Sequence, residues 1–374
     1  MPRRRASDPA PPSRSGRWSD AGPAIRRRRR GRGFTYTDPD GRRLSDPATL
    51  DRIAALAIPP AWTDVRINPA PTGRLQAVGR DARGRKQYRY DPAYRRARER
   101  AKFDGLVRFA ALLPAIRAQV RRDLRRRRPD ERQVVALVVR VLDLTSLRIG
   151  NDEYRRANRS FGLTTLRRRH VTVTGDRVEL RFPGKGGATQ EVAFRDRLVA
   201  RHLRRLAAGP PGGRLFEHVD VDGRARALRS GHVNAYLRAA AGADGGGEAT
   251  AKTFRTWAAT VLACAALARA QTGQAGNDEP SSHTASGRRR RSSAALRAAI
   301  DEVAAHLGDT PTVARQAYVH PAVIEAEGDG SLDAAAARVR RRGRAQGRVG
   351  LSPDERLTLA VLRSATRPRP GDVV

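Results

Sequence analysis

The sequence has few residues of the kinds that build covalent cross-links and metal centres. It contains one cysteine, Cys264, which excludes an internal disulfide and a cysteine-based zinc site and indicates a reducing compartment. No apolar run approaches the 18 residues of a membrane helix, and the N-terminus lacks the apolar segment of a secretory signal. We therefore expect a cytoplasmic protein that is not bound to a membrane.

Lysine and acidic residues are also scarce compared with arginine. The 374 residues include 75 Lys and Arg but 38 Asp and Glu, which leaves a formal net charge of +37. Such an excess is typical of a chain that binds the phosphate backbone of nucleic acid. Four of the basic residues are lysines, and each lysine retained among 71 arginines is a candidate for a specific function. These lysines are Lys86, Lys102, Lys185 and Lys252.

Common enzymatic signatures are absent as well. Lys185 lacks the upstream glycine and the following Ser or Thr of a P-loop, and the seven histidines are scattered without an HExxH motif. We therefore expect no ATP site, no metal and no other cofactor. A reaction on nucleic acid would then depend on side chains alone: a nucleophile such as tyrosine, arginines that neutralise phosphate oxygens, and a lysine as general acid.

The distribution of apolar residues predicts an α+β protein with two domains between basic ends. Residues 1–33 mix arginine runs with Pro, Ser and Gly, and we expect a disordered basic arm. Residues 34–104 contain short alternating segments between turns, which indicates a small β-rich domain. Residues 105–330 are predicted to form a mainly helical domain with a polar linker at 271–293. Residues 331–374 are an Ala- and Arg-rich C-terminal extension.

One strand-like region interrupts the helical domain. Three segments between residues 170 and 194 alternate with period 2, which predicts a three-stranded β-meander with Lys185 at the tip of a hairpin. Further along, Thr310-Pro311 predicts the start of a short helix, capped by Asp309 or Thr310, with Tyr318 two turns into it. Ser352 and Glu355 have the spacing of a capping box before a last helix.

Five motifs follow one another in the helical domain: LRIGNDEY (147–154), GLTTL (162–166), FPGKGG (182–187), KTFRTW (252–257), and TP at 310–311 with YVHP at 318–321. In order and spacing they closely resemble those of type IB DNA topoisomerases of the compact viral and bacterial kind. IPPAW (58–62) and the stretch at 79–90 resemble that family's N-terminal domain. The resemblance covers residues 34–325.

This resemblance implies the relaxation of supercoiled double-stranded DNA, without ATP, through a transient 3′-phosphotyrosyl bond. It implies that Tyr318 is the nucleophile, that Arg148 and Arg255 bind the non-bridging phosphate oxygens, and that Lys185 protonates the leaving 5′ oxygen. The β-rich and helical domains would close as a clamp around the duplex. We expect a monomer on the nucleoid.

Other residues are assigned smaller parts on the same basis. Lys252 is a possible phosphate contact. His320 is expected mainly to brace the turn after Tyr318, and a catalytic role for His320 stays open. The N-terminal domain would contact DNA through Arg80, Lys86, Gln87, Tyr88 and Tyr90.

Asp309 departs from the family pattern, which has His or Asn nine residues before the nucleophile as a further phosphate donor. An ionised carboxylate cannot donate a hydrogen bond and would repel the phosphate. Asp309 therefore serves only as the helix cap, is protonated, or lowers the activity. We favour the cap.

Two other functions stay open from the sequence. A tyrosine recombinase or integrase shares the tyrosine and the arginines but must pair two duplexes, and the N-terminal β domain counts against it. A non-enzymatic, Arg-rich nucleoid-binding protein would bind DNA without cutting it.

Overall fold

The computed structural model describes residues 18, 21–126, 129–242, 247, 249–274, 285–343 and 350–365. Contacts divide the chain into two compact units, an N-terminal unit, Met1–Lys102, and a C-terminal unit, Phe103–Val374. The division falls close to the boundary that we expected at residue 104. In the parts of the chain that are described, no helix is both long and apolar enough to span a bilayer.

The N-terminal unit is built on a five-stranded antiparallel sheet. Its strands are β1 (Ile25–Arg30), β2 (Gly33–Thr37), β3 (Thr63–Ile67), β4 (Leu75–Arg80) and β5 (Lys86–Tyr90), and their order in the sheet is β2-β1-β3-β4-β5. Helix α1 (Pro47–Ala55) starts at Asp46, whose side chain accepts from the Thr49 amide. A small core of Ile25, Ile53, Val65, Ile67 and Ala77 stabilises this sheet and helix.

The expected disordered arm is wrong for residues 25–33, because the arginine run at 26–30 forms β1. The long side chain of Arg27 explains how a strand of arginines is held: it lies over the Phe34 ring at 4.1 Å and donates to the carbonyls of Ile58, Pro59 and Trp62. Residues 1–17, 19 and 20 of the expected arm lie outside the described residues.

The C-terminal unit is mainly helical, as the sequence predicted. Its helices and strands are α2 (Pro92–Leu124), which begins in the N-terminal unit, α3 (Glu131–Thr145), α4 (Asp152–Asn158), β6 (Val171–Thr174), β7 (Arg177–Pro183), β8 (Thr189–Arg195), α5 (Arg197–Ala207), β9 (Glu217–Val219), β10 (Ala225–Ala227), α6 (Ser230–Ala241), α7 (Ala251–Gln274), α8 (Ala285–Leu307), α9 (Pro311–Ala317), α10 (Pro321–Gly328), α11 (Ser331–Gly343) and α12 (Pro353–Ala365). Helix α3 is buried along most of its length and forms the centre of one large core.

The predicted β-meander is present. Strands β6, β7 and β8 form an antiparallel sheet in sequence order, and the β7–β8 turn carries Lys185 in a single 3₁₀ turn, Lys185–Gly187. Gly186 and Gly187 have φ of 82° and 85°, a conformation that favours glycine.

The polar linker expected at 271–293 is wrong at both ends, because α7 continues to Gln274 and α8 begins at Ala285. The two helices pack against each other, and polar pairs lie near the C-terminal end of α7. Arg269 donates to Glu302 at 2.9 Å, and Gln271 donates to Glu327 of α10 at 2.6 Å. Residues 275–284 lie outside the described residues.

The C-terminal stretch is an integral part of the unit and not an extension added to it. Ser352 and Glu355 form the predicted capping box at the start of α12, through reciprocal hydrogen bonds of 2.8 and 3.2 Å. The Glu355 carboxylate also accepts from Arg117 of α2 at 2.8 Å and from the Trp257 indole of α7 at 3.1 Å. Arg117 donates in turn to Asp143 of α3.

We expect Glu355→Gln to lower the free energy of unfolding of the C-terminal unit by about 3 kcal/mol, because it leaves the mostly buried Arg117 with one counter-charge. Urea unfolding at pH 7 measures this, and Glu325→Gln on the exposed face of α10 is the control. Equal free energies of unfolding for the two variants would show that the Glu355–Arg117 ion pair does not stabilise the unit.

The difference between wild type and Glu355→Gln should also depend on pH. Burial alone would raise the pKa of Glu355, but hydrogen bonds from Arg117 outweigh burial and the pKa lies below its ordinary value of 4.5. A lowered pKa means that the stabilisation is complete above pH 4.5 and is lost as the pH falls through the folded-state value. The two unfolding curves should therefore converge in acid.

Candidate active site

Arg148 lies on a loop that follows the buried helix α3. The helix ends at Thr145, its C-cap residue Ser146 has a left-handed backbone with φ of 54°, and Leu147 is buried. The next two carbonyls accept hydrogen bonds from a second segment of the chain: Arg148 O from the Leu163 amide at 2.9 Å and Ile149 O from the Thr164 amide at 2.8 Å. The backbone that carries Arg148 is thus fixed on both sides.

Two glycines allow these segments to approach each other. Gly150 has φ of 84°, and a Cβ on Gly162 would lie within 2.6 Å of the Gly150 amide nitrogen and the Arg148 carbonyl oxygen. The neighbouring Phe161 amide donates to the Pro183 carbonyl at 2.8 Å. One continuous network therefore joins the Arg148 loop to the hairpin that carries Lys185.

Arg255 is buried on α7, where 4% of its surface is exposed. Its guanidinium donates to the Ser146 carbonyl at the end of α3 and to the Leu307 carbonyl at the end of α8, the latter at 3.1 Å. Burial lowers the pKa of Arg255 from its ordinary value, and the neighbouring Tyr318 opposes this shift. Because the ordinary value is so high, the group stays a cation at neutral pH.

Asp309 bridges the two arginines. Its Oδ1 accepts from Nη2 of Arg148 at 2.5 Å, and its Oδ2 accepts from Nη2 of Arg255 at 3.0 Å. The carboxylate is 8% exposed, so both ion pairs are largely shielded from water. The two guanidiniums are therefore directed at the two oxygens of a single anion, a geometry that also matches two oxygens of a phosphate.

The preferred interpretation of Asp309 as a helix cap is wrong. Thr310 caps α9, because its side chain accepts from the Val313 amide, whereas both Asp309 oxygens bind arginines. The sequence favoured the cap since an aspartate before Thr-Pro is typical of a helix start. The partners that decide its role lie 161 and 54 residues away in the chain.

Tyr318 follows about two turns of α9, as the sequence predicted, and it is the C-cap residue, whose amide donates to the Ala314 carbonyl. Its ring is half-buried, with the Arg255 guanidinium carbon 5.2 Å from the ring centroid. The one proton of the buried Thr260 hydroxyl is shared between the Thr256 carbonyl at 2.8 Å and the Tyr318 carbonyl at 3.1 Å, and the hydroxyl oxygen accepts from the His320 amide at 3.2 Å. Thr260 thus holds the backbone on both sides of residue 319.

Thr260 is a residue that the sequence interpretation missed. It is completely buried on α7, five residues after Arg255, among mainly apolar neighbours. A lone polar residue in an apolar stretch is a weak signal, because a buried threonine hydroxyl commonly bonds to the carbonyl one turn back, as Thr260 does to Thr256.

Lys185 is exposed at the tip of the β7–β8 hairpin, as predicted. In the described parts of the chain no contact joins it to Arg148, Arg255 or Tyr318. The base of its hairpin nevertheless packs beside Asp309: the side chain of Gln190 on β8 lies between Gly184 and Gly308, and a Cβ on either glycine would overlap it. The hairpin is therefore anchored near the two arginines, and its lysine tip extends into solvent.

Lys252 and His320 lie at the edges of this site. Lys252 is exposed in the first turn of α7, one turn before Arg255, and stays a prediction as a phosphate contact. His320 caps α10 through Nδ1, which accepts from the Ala322 amide at 3.0 Å, and its ring packs edge-on against Phe103. The bracing function expected of His320 matches these contacts.

The N-terminal unit presents its own candidate surface on β5. Lys86, Tyr88 and Tyr90 share one exposed face of the strand; the two tyrosine rings stack with centroids 6.3 Å apart, and the Lys86 ammonium lies 5.9 Å from the Tyr88 ring. Exposed aromatic rings next to cations are typical of nucleic-acid interfaces. Gln87 lies on the opposite face, where it donates to Asp81 at 2.9 Å.

Arg80, at the end of β4, has two exposed side-chain contacts among the described residues. It lies 3.5 Å from Asp64 and donates to the Gly84 carbonyl at 3.0 Å. Such surface ion pairs are weak, so the Arg80 guanidinium can leave Asp64 and bind another anion with little loss of free energy.

Comparisons with known proteins assign both parts of the chain. A family model described as the catalytic core of eukaryotic DNA topoisomerase I matches residues 91–340, a range that contains Arg148, Lys185, Arg255 and Tyr318. A second, described as the N-terminal domain of bacterial DNA topoisomerase IB, matches residues 33–81.

Viral proteins are among the relatives. DNA topoisomerase 1B of Acanthamoeba polyphaga mimivirus is 31% identical over 247 residues, which cover 65% of this chain and 72% of the mimivirus protein. DNA topoisomerase 1B of vaccinia virus (strain Copenhagen) is 25% identical over 118 residues, which cover 32% of this chain and 38% of the viral protein.

We expect Gly162→Ala to destabilise the C-terminal unit by about 1–3 kcal/mol, because the added methyl group would force the Arg148 loop away from residues 161–165. Differential scanning calorimetry measures the change in Tm. Gly212→Ala is the matched control, since a Cβ there meets nothing within 4 Å. Similar Tm values for the two variants would show that the close approach is not required.

Proposed function

The chain belongs to the type IB DNA topoisomerases, and on that premise we propose that it relaxes supercoiled DNA by cutting and rejoining one strand through a covalent bond to Tyr318. The observation that carries this proposal is that Arg148 and Arg255 converge on the one carboxylate of Asp309 while the Tyr318 ring lies beside the Arg255 guanidinium. A nucleophile and two phosphate-binding cations are what a strand transfer at phosphorus requires.

Cleavage would begin with a change of anion in the site. The scissile phosphate replaces the Asp309 carboxylate, and two of its oxygens take the hydrogen bonds that Arg148 and Arg255 now give to Oδ1 and Oδ2. Arg255 needs little rearrangement, because the Ser146 and Leu307 carbonyls already hold its guanidinium. Such preorganised charge is most effective in a site from which water is excluded.

Tyr318 would then attack phosphorus. The bond from its phenol oxygen to phosphorus forms as the bond from phosphorus to the 5′ oxygen breaks, and the phenol proton leaves to solvent. The nearby Arg255 cation stabilises negative charge on the phenol oxygen and on the five-coordinate phosphorus. The strand end with the 5′ hydroxyl can turn about the intact strand before the same steps run in reverse.

Lys185 would supply the proton to the leaving 5′ oxygen. An ammonium can release a proton, whereas a guanidinium does so poorly because its pKa is too high. On this proposal the lysine on the exposed 3₁₀ turn would contact the bound phosphate, and the side chain of Gln190 lies between the hairpin base and Gly308. Neither ATP nor a metal is needed in this scheme, because the phosphotyrosyl bond conserves the energy of the broken one.

The exposed face of β5 supports DNA binding by the N-terminal unit. Tyr88 and Tyr90 are 46% and 42% exposed, an unusual state for aromatic side chains, and Lys86 lies beside them. We assign this face to contacts with the DNA backbone and bases. Gln87 would join them only by leaving Asp81.

We expect Tyr318→Phe to abolish relaxation of a supercoiled plasmid and the formation of a covalent protein–DNA adduct, while DNA binding stays within about twofold. Wild type should relax the plasmid in EDTA without ATP. Agarose gels and adduct trapping with detergent measure these effects. A requirement for ATP or a divalent metal, or adducts in the variant, would contradict the proposal. Strand exchange without relaxation would indicate a recombinase, and binding without any nick would indicate a nucleoid protein.

We expect Asp309→Asn to increase the rate of single-turnover cleavage about tenfold. The amide removes the anion that competes with the phosphate and offers a donor in its place, and a charge-assisted hydrogen bond is worth roughly 1.5–3 kcal/mol. Quenched-flow assays on a labelled duplex measure the rate. Asp301→Asn, on the exposed face of α8, makes the same change in net charge and should leave the rate unaltered. An unchanged or lower rate in Asp309→Asn would show that Asp309 does not limit cleavage.

A further inference from the structure

Three side chains that commonly bind metal ions meet at the N-terminal end of α3, outside the Tyr318 site. Glu131 is the first residue of α3, His218 lies in the middle of β9, and His232 lies in the first turn of α6. Helix α3 packs against both β9 and α6, and this packing brings the three residues together. We refer to them as the His–His–Glu cluster.

The three side chains converge without bonding to one another. One candidate ligand atom from each lies within 4.8 Å of the other two. Glu131 Oε2 is 3.8 Å from His218 Nε2, and Glu131 Oε1 is 3.8 Å from His232 Nδ1. These distances exceed those of hydrogen bonds, so the carboxylate faces both rings across a gap.

The imidazoles also contain buried nitrogen atoms without partners. Among the residues that the structure describes, nothing forms a hydrogen bond with Nδ1 of His218 or with Nδ1 of His232, and both atoms are buried. His218 as a whole is 6% exposed. A buried polar atom without a partner is costly, and native proteins usually supply one. At His232 the unpartnered Nδ1 is the atom that faces Glu131, so a metal ion there would be its missing partner, whereas at His218 the ring nitrogen that faces Glu131 is Nε2.

We propose that the His–His–Glu cluster binds a divalent transition-metal ion of the Zn²⁺ class. Two imidazoles and one carboxylate are an established donor set for zinc, and imidazole suits zinc far better than it suits magnesium or calcium. Zinc–ligand bonds of about 2.0–2.2 Å place ligand atoms roughly 3.4 Å apart in a tetrahedron. The 3.8 Å gaps from Glu131 to the two imidazoles need to close by less than half an ångström, and the three ligand atoms together, which lie within 4.8 Å of one another, by at most about 1.4 Å.

A fourth coordination position would be open to solvent. Glu131 and His232 also line a cleft of about 370 Å³, whose walls include Tyr236 and Arg132. A water molecule or a small anion can complete the coordination from this side. Arg132 and Tyr236 contact Asp123 and not the cluster, so neither competes for the Glu131 carboxylate.

The metal would tie together three segments that are distant in the sequence. It would join the β9–β10 hairpin and α6 to the start of α3, the helix at the centre of the core and directly before the Arg148 loop. A ligand that binds only the folded chain stabilises it. This site is independent of the proposed cleavage chemistry, which uses none of the three residues.

The test uses the full chain without a histidine tag, stripped with EDTA and transferred to metal-free buffer. Equilibrium dialysis against Zn²⁺ gives the number of ions bound and the affinity, thermal unfolding gives the change in Tm, and Co²⁺ in place of Zn²⁺ reports the coordination geometry by its absorption spectrum. The variants are His218→Gln, His232→Gln and Glu131→Gln. His306→Gln, which removes an exposed histidine on α8, is the matched control.

We expect wild type and His306→Gln to bind one Zn²⁺ per chain and to have a higher Tm with Zn²⁺ than without it. With Co²⁺ they should give the strong absorption spectrum of a four-coordinate ion. Each cluster variant should lose more than about 100-fold in affinity. Binding that the three variants retain, or a wild-type Co²⁺ spectrum equal to that of the aqueous ion, would overturn the proposal. Because the Co²⁺ spectrum is recorded on wild type, the test does not depend on whether a variant folds.

Discussion

The ion pairs of Asp309 with Arg148 and Arg255 are the interaction on which the site depends. A guanidinium as buried as that of Arg255 requires a counter-charge, because an unpaired charge in a low-dielectric interior is very unfavourable. Asp309 supplies that charge when no DNA is present. A phosphate can supply it when DNA is bound, and its oxygens match the same pair of donors. The two guanidiniums can therefore stay in place while a phosphate replaces the carboxylate between them. The Asp309 carboxylate then competes with the phosphate for the same hydrogen bonds.

The rest of the C-terminal unit holds Arg148, Arg255 and Tyr318 by backbone contacts. Carbonyls at the ends of α3 and α8 orient Arg255, the amides of residues 163 and 164 hold the Arg148 loop, and Thr260 holds the backbone around Tyr318. Each of these contacts joins segments that are far apart in sequence. The Lys185 turn is different, because it extends into solvent from an anchored hairpin. The site thus combines a preorganised anion pocket with a lysine on a projecting turn.

The large positive charge has structural as well as functional uses. Arg27 holds the first strand to the carbonyls of residues 58, 59 and 62, Arg52 joins α1 to the carbonyl of Asn68, and Arg117 links α2 to α3 and α12. These arginines are committed to the fold. Net charge therefore indicates the class of partner without locating its binding face, and our assignment of that face to β5 rests on its exposed tyrosines.

Local patterns in the sequence determined the α+β class, the β-meander, the buried helix α3, the capping box at Ser352, and the motifs that carry Arg148, Lys185, Arg255 and Tyr318. These features follow from the spacing of apolar, turn and capping residues within a few turns of chain. Tertiary structure alone decided the strand formed by residues 25–30, the true lengths of α7 and α8, the double ion pair of Asp309, the support from Thr260, and the meeting of Glu131, His218 and His232. Each feature that tertiary structure decided depends on partners that are remote in sequence. Local periodicity does not indicate which remote side chain will neutralise a charge or form a hydrogen bond.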